Sequence, residues 1–128
     1  MAHPRMFDDD DPVLARLREI CLALPEAQEF ESHGRPNFRA GKVFAVYGSG
    51  HDDPHHLIIR IDPEELPALR ADPRFSVPPY YPDRLAIDLA DPSTDWREIG
   101  ELVESSYRQV ALKRMLLALD GDVHPSAD

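Results

Sequence analysis

The sequence predicts an α+β domain in which N- and C-terminal helices pack on one face of an antiparallel sheet. Near both ends of the 128-residue chain, apolar residues recur at intervals of three and four, which is typical of amphipathic helices. Between these ends lie short runs of alternating apolar and polar residues, which are typical of half-buried strands. Strands joined by short loops favour antiparallel pairing, and helices at the two chain ends would then cover one sheet face.

Both long helices begin with recognisable capping residues. Asp11 followed by Pro12 combines an N-cap with a proline at the first helical position, and this pair predicts a helix over residues 12–24. An Asp-Pro-Ser-Thr-Asp segment precedes the last apolar stripe. It predicts a helix over residues 95–119, with Gly121 as the C-cap.

The strands of the sheet are predicted in the middle of the chain. Residues 37–47 read as a hairpin that turns at Ala40-Gly41, because glycine adopts the backbone conformation of a tight turn. Residues 56–61 are rich in isoleucine and leucine, and residues 85–89 alternate. Both segments are therefore predicted as further strands of the same sheet.

Two shorter elements and the core complete the predicted fold. A short helix restarts at Asp62 and is interrupted by Pro67, and residues 75–77 are predicted as a short strand. The core is predicted from the apolar positions that face inward on all these elements. Its members are Leu17, Ile20, Phe44, Ile59, Ile99 and Val103.

Length and composition predict a single domain over residues 1–128, with its core at about 12–117. A chain of this length buries about two thirds of its unfolded surface on folding, which is enough without a disulfide. Cys21 is the one cysteine, no apolar run is long enough to span a membrane, and the N-terminus lacks an apolar signal core. We therefore expect a cytoplasmic protein in a reducing compartment, with no membrane association.

Basic residues are concentrated in one region of a chain whose net charge is −10. Arg35, Arg39 and Lys42 lie in or beside the hairpin and Arg60 lies on the next strand, whereas the flanking segments are strongly acidic. These four cations predict a surface that contacts phosphate, since arginine suits phosphate geometry. An alternative interpretation is that they are solvated charges that protect an exposed strand edge. The negative net charge opposes nucleic-acid binding.

Other polar and aromatic residues predict less specific chemistry. Tyr80 and Tyr81, in a proline-rich loop, are candidates for stacking on a base or a small ligand, or for covering an edge of the core. The cluster around His51 and His55 lacks the spacing of known zinc motifs. Cys21 falls on an apolar helix face and is expected to be inert. No catalytic residue, metal or cofactor is predicted.

Several segments, taken in order, resemble the MmcQ/YjbR family. They are Leu-Pro-Glu-Ala-Gln-Glu at 24–29, Gly-Arg-Pro-Asn-Phe-Arg-Ala-Gly-Lys-Val-Phe-Ala at 34–45, the strand at 56–61 and Ser-Ser-Tyr at 105–107. The resemblance covers roughly residues 12–117. It implies a compact α+β domain similar in topology to the CyaY/frataxin fold, and it implies DNA binding by fold analogy.

These observations lead us to expect a non-enzymatic binding domain that contacts nucleic acid through its basic hairpin. The alternative is a protein-interaction or small-ligand-binding module without nucleic-acid activity, which would use the sheet face and the Tyr80–Tyr81 loop. The two hypotheses differ in what the fold must show. Nucleic-acid binding requires the four cations to share one exposed face that is free of carboxylates, unpaired with Glu29, Glu31 or Asp62.

Overall fold

The computed structural model describes residues 4–48, 53–78 and 81–123. Within them, a six-stranded antiparallel sheet is covered by helices on one face, which confirms the predicted α+β class. The elements in chain order are α1 (Pro12–Leu22), β1 (Gln28–Ser32), β2 (Arg35–Ala40), β3 (Lys42–Tyr47), β4 (His56–Arg60), α2 (Leu66–Arg70), β5 (Phe75–Ser76), β6 (Arg84–Asp88), α3 (Trp96–Val110) and α4 (Lys113–Val123). The strand order across the sheet is β1-β2-β3-β4-β6-β5.

The core lies between the sheet and the helices α1 and α3. Phe44 of β3 and Tyr107 of α3 meet edge to face with their ring centroids 5.5 Å apart. Most of the predicted core residues are 1% exposed or less, namely Leu17, Phe44, Ile59, Ile99 and Val103. Ile20 is only partly buried, so that prediction is wrong. The buried stripe of α1 runs through Leu14 and Cys21 and leaves Ile20 on its flank.

Helix α1 begins where the sequence predicts and is tied to the edge of the sheet. The Asp11 carboxylate accepts a hydrogen bond from the Val13 amide at 2.8 Å, and Pro12 occupies the first turn. Arg18 of α1 pairs with Glu29 of β1 at 2.9 Å. This ion pair, half-buried on both sides, connects the helix to the outermost strand.

Strand β1 is absent from the sequence prediction because its residues are mostly polar. It is an edge strand that pairs only with β2, and none of its residues is fully buried. Its sequence therefore lacks the apolar residues that mark a central strand. The connection to β2 is a two-residue turn in which His33 and Gly34 have φ angles of 54° and 77°. Positive φ at both positions is the requirement of a type I′ hairpin turn. The dipeptide His33-Gly34 is therefore the sequence feature from which this turn could have been predicted.

A β-bulge in β3 sets which residues of the hairpin face the helices. Phe38 lies opposite Ala45, but the next residue, Arg39, lies opposite Val43. Phe44 is the extra residue of the bulge, and its ring turns towards α3. Phe44 and Ala45 are therefore both buried, although the regular alternation of a strand would place two neighbours on opposite faces.

The last predicted helix is divided into α3 and α4. Asp95 caps α3 as predicted, accepting hydrogen bonds from backbone amides of the first turn, but Ala111 has an extended backbone with ψ 143°. The carbonyl of Val110 lies against the β2–β3 turn, where a Cβ on Gly41 would come within 2.9 Å of it. Gly121 lies inside α4, so the predicted C-cap is wrong.

The shorter elements are close to their predicted positions. Residues 62–65 form turns, and α2 begins at Leu66 with Pro67 in its first turn. Pro67 therefore starts the helix instead of interrupting it, because a missing N–H is harmless in the first turn. The short strand predicted at residues 75–77 is present as β5.

Candidate functional site

The sheet has a second face, turned away from the helices, which we call the open face. Successive strand residues alternate between the two faces, and the register of the strand pairs assigns each residue to one of them. The centre of the open face is apolar and consists of Val43, Val46, Ile58 and Ala86.

Three of the four predicted cations lie on the open face. They are Arg35 and Arg39 of β2 and Arg60 of β4. Lys42 lies opposite Ala40, a buried residue on the helix-covered side. Lys42 is exposed at the β2–β3 turn but on the helix-covered side, so the four predicted cations do not share one face.

The two arginines of β2 are held in different ways. Arg39 is exposed, and its guanidinium carbon lies 4.7 Å from the centre of the Phe30 ring on β1, a cation–π contact. Arg35 is half-buried, and its Nε atom is buried without a hydrogen-bond partner in the described part of the chain. Arg35 therefore retains unused donor capacity within the sheet surface.

Arg60 is fixed on the open face by a backbone contact. Its Nε donates a hydrogen bond to the carbonyl of Val43 at 3.1 Å. This contact uses one guanidinium donor and leaves both terminal nitrogens for another partner. The amide of Arg60 donates to the Ser106 hydroxyl at 3.0 Å, and that hydroxyl donates to the Phe44 carbonyl at 2.6 Å. A helix side chain thus bridges β3 and β4 beyond their last paired residues.

Arg84 of β6 belongs to this surface, although the sequence analysis did not select it. It lies directly opposite Arg60 in the β4–β6 pair, and its guanidinium carbon is 4.5 Å from the centre of the Tyr81 ring. Its Nε is buried without a hydrogen-bond partner among the described residues. The predicted strand began at residue 85, one residue too late to reveal the pairing of Arg84.

Among the described residues, five of the eight arginines off the open face form ion pairs, whereas Arg16, Arg70 and Arg97 do not. Within residues 4–48, 53–78 and 81–123, the arginines that form ion pairs all lie off the open face. They are Arg5, Arg18, Arg74, Arg108 and Arg114. Glu29 pairs with Arg18 and Glu31 with Arg5, so neither carboxylate neutralises the hairpin. The described chain therefore leaves the positive charge of the open face without ion-pair partners.

The tyrosine loop is only partly within the described residues. Tyr80 lies outside them. Tyr81 is 42% exposed and stacks with Arg84, which places it at the border of the open face beside β6. The aromatic ring predicted to stack on a ligand is thus already in contact with a guanidinium group.

A polar cluster connects the start of α1 to β3 and the following loop. The Tyr47 hydroxyl donates to Asp11 Oδ2 at 2.6 Å and lies 2.6 Å from His55 Nδ1. Although burial acts in the opposite direction, hydrogen bonds from Tyr47 and Val13 hold the pKa of Asp11 below its ordinary value. Burial, reinforced by the Asp11 carboxylate, raises the pKa of Tyr47. Because Tyr47 is 1% exposed, this cluster joins elements of the fold.

Further chemistry is limited in the described part of the chain. No set of three or more His, Cys, Asp or Glu side chains comes together there as a metal site. His51 lies outside the described residues. Burial raises the pKa of the Cys21 thiol, which opposes formation of the reactive thiolate. Among the described helices, none has the length and apolar character needed to cross a bilayer.

Comparison with known proteins identifies the family. Residues 22–109, more than half of the chain, match the family model described as YjbR. The chain belongs to the YjbR family. The crystal structure of Deinococcus radiodurans protein DR2400, with a DUF419 domain, is similar to this YjbR domain at 27% sequence identity and a TM-score of 0.65, over 78% of this chain and 79% of that one. Among curated proteins, no relative matches.

The structure explains two of the segments that carried the family resemblance. In the Ser-Ser-Tyr segment of the YjbR domain, Ser106 bridges β3 and β4. The adjacent Tyr107 is fully buried, and its hydroxyl donates to the Pro25 carbonyl at 2.8 Å. Pro25 belongs to the Leu-Pro-Glu-Ala-Gln-Glu segment between α1 and β1. These two segments therefore hold the helices to the sheet.

Proposed function

We propose that this YjbR domain is a non-enzymatic, cytoplasmic protein whose open face binds the phosphate backbone of nucleic acid. The observation that carries the proposal is the contrast between its arginines. All four arginines on the open face lack an ion pair within the described chain, whereas five of the eight arginines elsewhere are paired with carboxylates. Unpaired guanidinium groups on one surface are the donors that phosphate contacts require.

The surroundings of these arginines support binding to phosphate and not to base edges. Arg39 lies on Phe30 and Arg60 is held by the Val43 carbonyl, so both guanidinium groups are partly pre-positioned. The strands present them from a sheet surface, and no helix covers that surface in the described chain. Such contacts set position and affinity without reading sequence.

The remainder of the molecule limits the affinity. The net charge is −10, and acidic side chains repel a polyanion; one of them, Asp88, lies on the open face itself, opposite His56. We therefore expect a Kd in the range of about 10⁻⁴–10⁻⁶ M at physiological salt, as for non-specific binding.

Fluorescence anisotropy with duplex DNA, single-stranded DNA and RNA at several salt concentrations tests the proposal. Wild-type protein should bind at low salt, and the logarithm of the association constant should fall linearly with the logarithm of salt concentration. Arg39→Ala should lower this slope by about one, because it removes one phosphate contact, whereas Lys42→Ala, on the helix-covered side, should lower it less. Arg97→Ala is the matched control, since Arg97 is exposed but lies on α3.

Two outcomes would contradict nucleic-acid binding. One is the absence of any anisotropy change with all three nucleic acids at low salt. The other is a salt slope that changes as much in Arg97→Ala as in Arg39→Ala, because binding would then not depend on the open face. Thermal unfolding of each variant excludes loss of fold as the cause, since these exposed side chains should contribute less than about 0.5 kcal/mol to stability.

A protein-interaction or small-ligand module is the second candidate function. Val77 and Tyr81 are 54% and 42% exposed and border β5 and β6 at one edge of the sheet. Exposed apolar side chains at a sheet edge favour association with another protein. Under this alternative, Val77→Ser and Tyr81→Ser would abolish an interaction that Arg39→Ala leaves intact.

A further inference from the structure

Two arginines of the open face lie directly opposite each other. Arg60 of β4 and Arg84 of β6 are partners in the antiparallel register, where the Cα atoms of opposite residues are about 4.5–5.5 Å apart. Like charges in this position repel each other and destabilise a sheet. In the described chain, neither arginine forms an ion pair that would relieve the repulsion.

Both guanidinium groups are nevertheless held in place. Arg60 donates from Nε to the Val43 carbonyl at 3.1 Å. Arg84 lies over the ring of Tyr81, while its own Nε is buried and has no hydrogen-bond partner in the described chain. A buried donor without an acceptor is unfavourable. In the described chain, the two guanidinium charges therefore have no carboxylate partner, and the Nε–H group of Arg84 has no acceptor.

A narrow apolar cleft lies beside the two arginines. It is lined by Val43, Val46 and Ile58 together with Arg60 and Arg84, and Ile58 is only 6% exposed. Electrostatic interactions are stronger next to such a surface than in bulk water. The cleft itself is too narrow for a water-sized group, so an anion would lie outside it, held between the guanidinium groups by charge-assisted hydrogen bonds.

We propose that Arg60 and Arg84 form a binding site for a single phosphate group. Two planar guanidinium groups offer paired donors that match the oxygens of a phosphate. Their two positive charges complement the charge of about −1.5 to −2 on a phosphate monoester at neutral pH. A bound phosphate also removes the repulsion between the two side chains and supplies an acceptor near the unpaired Nε of Arg84.

The electrostatics of Arg84 agree with this assignment. Burial and then the neighbouring charge of Arg60 lower the pKa of Arg84, and the charges of Asp83 and Tyr81 oppose this shift only in part. The positive charges of Arg60 and Arg84 are thus close enough to interact. An anionic ligand would reverse the shift.

This inference deepens the proposed function, since the phosphate is either one unit of a nucleic-acid backbone or part of a small phosphorylated ligand. The experiment is an NMR titration of the arginine Nε–Hε signals with inorganic phosphate, with chloride at equal ionic strength as the reference. Expected are saturable shifts of the Arg60 and Arg84 signals with phosphate alone. In Arg84→Gln the phosphate concentration at half-saturation should rise about tenfold or more.

Two further variants make the titration specific. Arg84→Lys keeps the charge but loses the planar fork, so its half-saturation concentration should lie between those of wild type and Arg84→Gln. Arg97→Gln, on α3, should titrate like wild type. If Arg84→Gln does not fold, as judged by its backbone NMR spectrum, the comparison of Arg84→Lys with wild type decides the question.

The results separate this site from the nucleic-acid proposal. Linear, unsaturated shifts in wild type, or equal shifts with chloride, would show an ion atmosphere only and overturn the site. Unchanged saturation in Arg84→Lys and Arg84→Gln would also overturn it. Saturation by phosphate without anisotropy for any nucleic acid would support the site and refute the nucleic-acid proposal. If phosphate does not saturate wild type but nucleic acid still binds to Arg84→Gln, the phosphate site is refuted and the nucleic-acid proposal is supported.

Discussion

The hydroxyl group of Ser106 should be one of the most important polar groups for the stability of this domain. Ser106 is fully buried on α3. Its hydroxyl donates to the Phe44 carbonyl at 2.6 Å and accepts from the Arg60 amide at 3.0 Å. The last regular pair between β3 and β4 is Ala45 with Ile59, so this side chain replaces the next rung of the ladder.

Replacing Ser106 with alanine leaves one backbone donor and one backbone acceptor without their partner. Each unsatisfied buried group costs about 1–3 kcal/mol, while alanine regains about 0.5 kcal/mol of helix propensity. We therefore expect Ser106→Ala to lower the free energy of unfolding by about 2–4 kcal/mol. Equilibrium urea unfolding, followed by circular dichroism, measures this change.

The neighbouring Ser105 provides a matched control. It lies on the same helix but is only half-buried, so Ser105→Ala should change stability by no more than about 0.5 kcal/mol. Amide hydrogen exchange gives a local readout, because the amide of Arg60 should lose protection in Ser106→Ala. A Ser106→Ala variant as stable as Ser105→Ala, with unchanged exchange at Arg60, would refute this account of the β3–β4 bridge.

Three other predictions follow from the same structure. Ile59→Ala and Val103→Ala should each lower the free energy of unfolding by about 2–5 kcal/mol, because both side chains are buried. Ile20→Ala should lower it less. A loss under about 1 kcal/mol for Ile59→Ala and Val103→Ala in urea unfolding would contradict the assigned core. The pKa of Asp11 is lower in the folded state than in the unfolded chain, so ionised Asp11 stabilises the fold above about pH 4 and this stabilisation is lost as the pH falls. Asp11→Asn should therefore lose less stability on acidification than wild type. Urea midpoints at several pH values measure this difference. The thiol of Cys21, 0% exposed, should react with a thiol reagent only after unfolding in urea; rapid labelling of native protein would show that the α1 face opens.

The open face could be predicted only in part. Arg35 and Arg39 share a face because they are four residues apart in β2, but the predicted hairpin began at residue 37 and left Arg35 outside it. Arg60 and Arg84 could not be paired from sequence, because their contact depends on the register between two strands separated by a loop and a helix. The β3 bulge could not be predicted either, because residues 43–47 are a continuous apolar run with no polar residue to distinguish the two faces.

Local chemistry determined the start of each long helix and the position of the β2–β3 turn. Asp11 and Asp95 are caps whose hydrogen bonds reach only a few residues along the chain, and Gly41 adopts φ 83° within the turn itself. Such features depend on neighbouring residues, so the sequence alone specifies them.

Tertiary structure decided the features that join distant residues. The division between α3 and α4 has no proline or glycine to mark it, and it falls where the Val110 carbonyl meets the turn at Gly41. Ser106 acts on strands 46 and 62 residues away in the chain. The surface formed by Arg60 and Arg84 likewise exists only because the β4–β6 register places two cations opposite each other. Register and packing are properties of the assembled sheet, since no short segment determines its own partner.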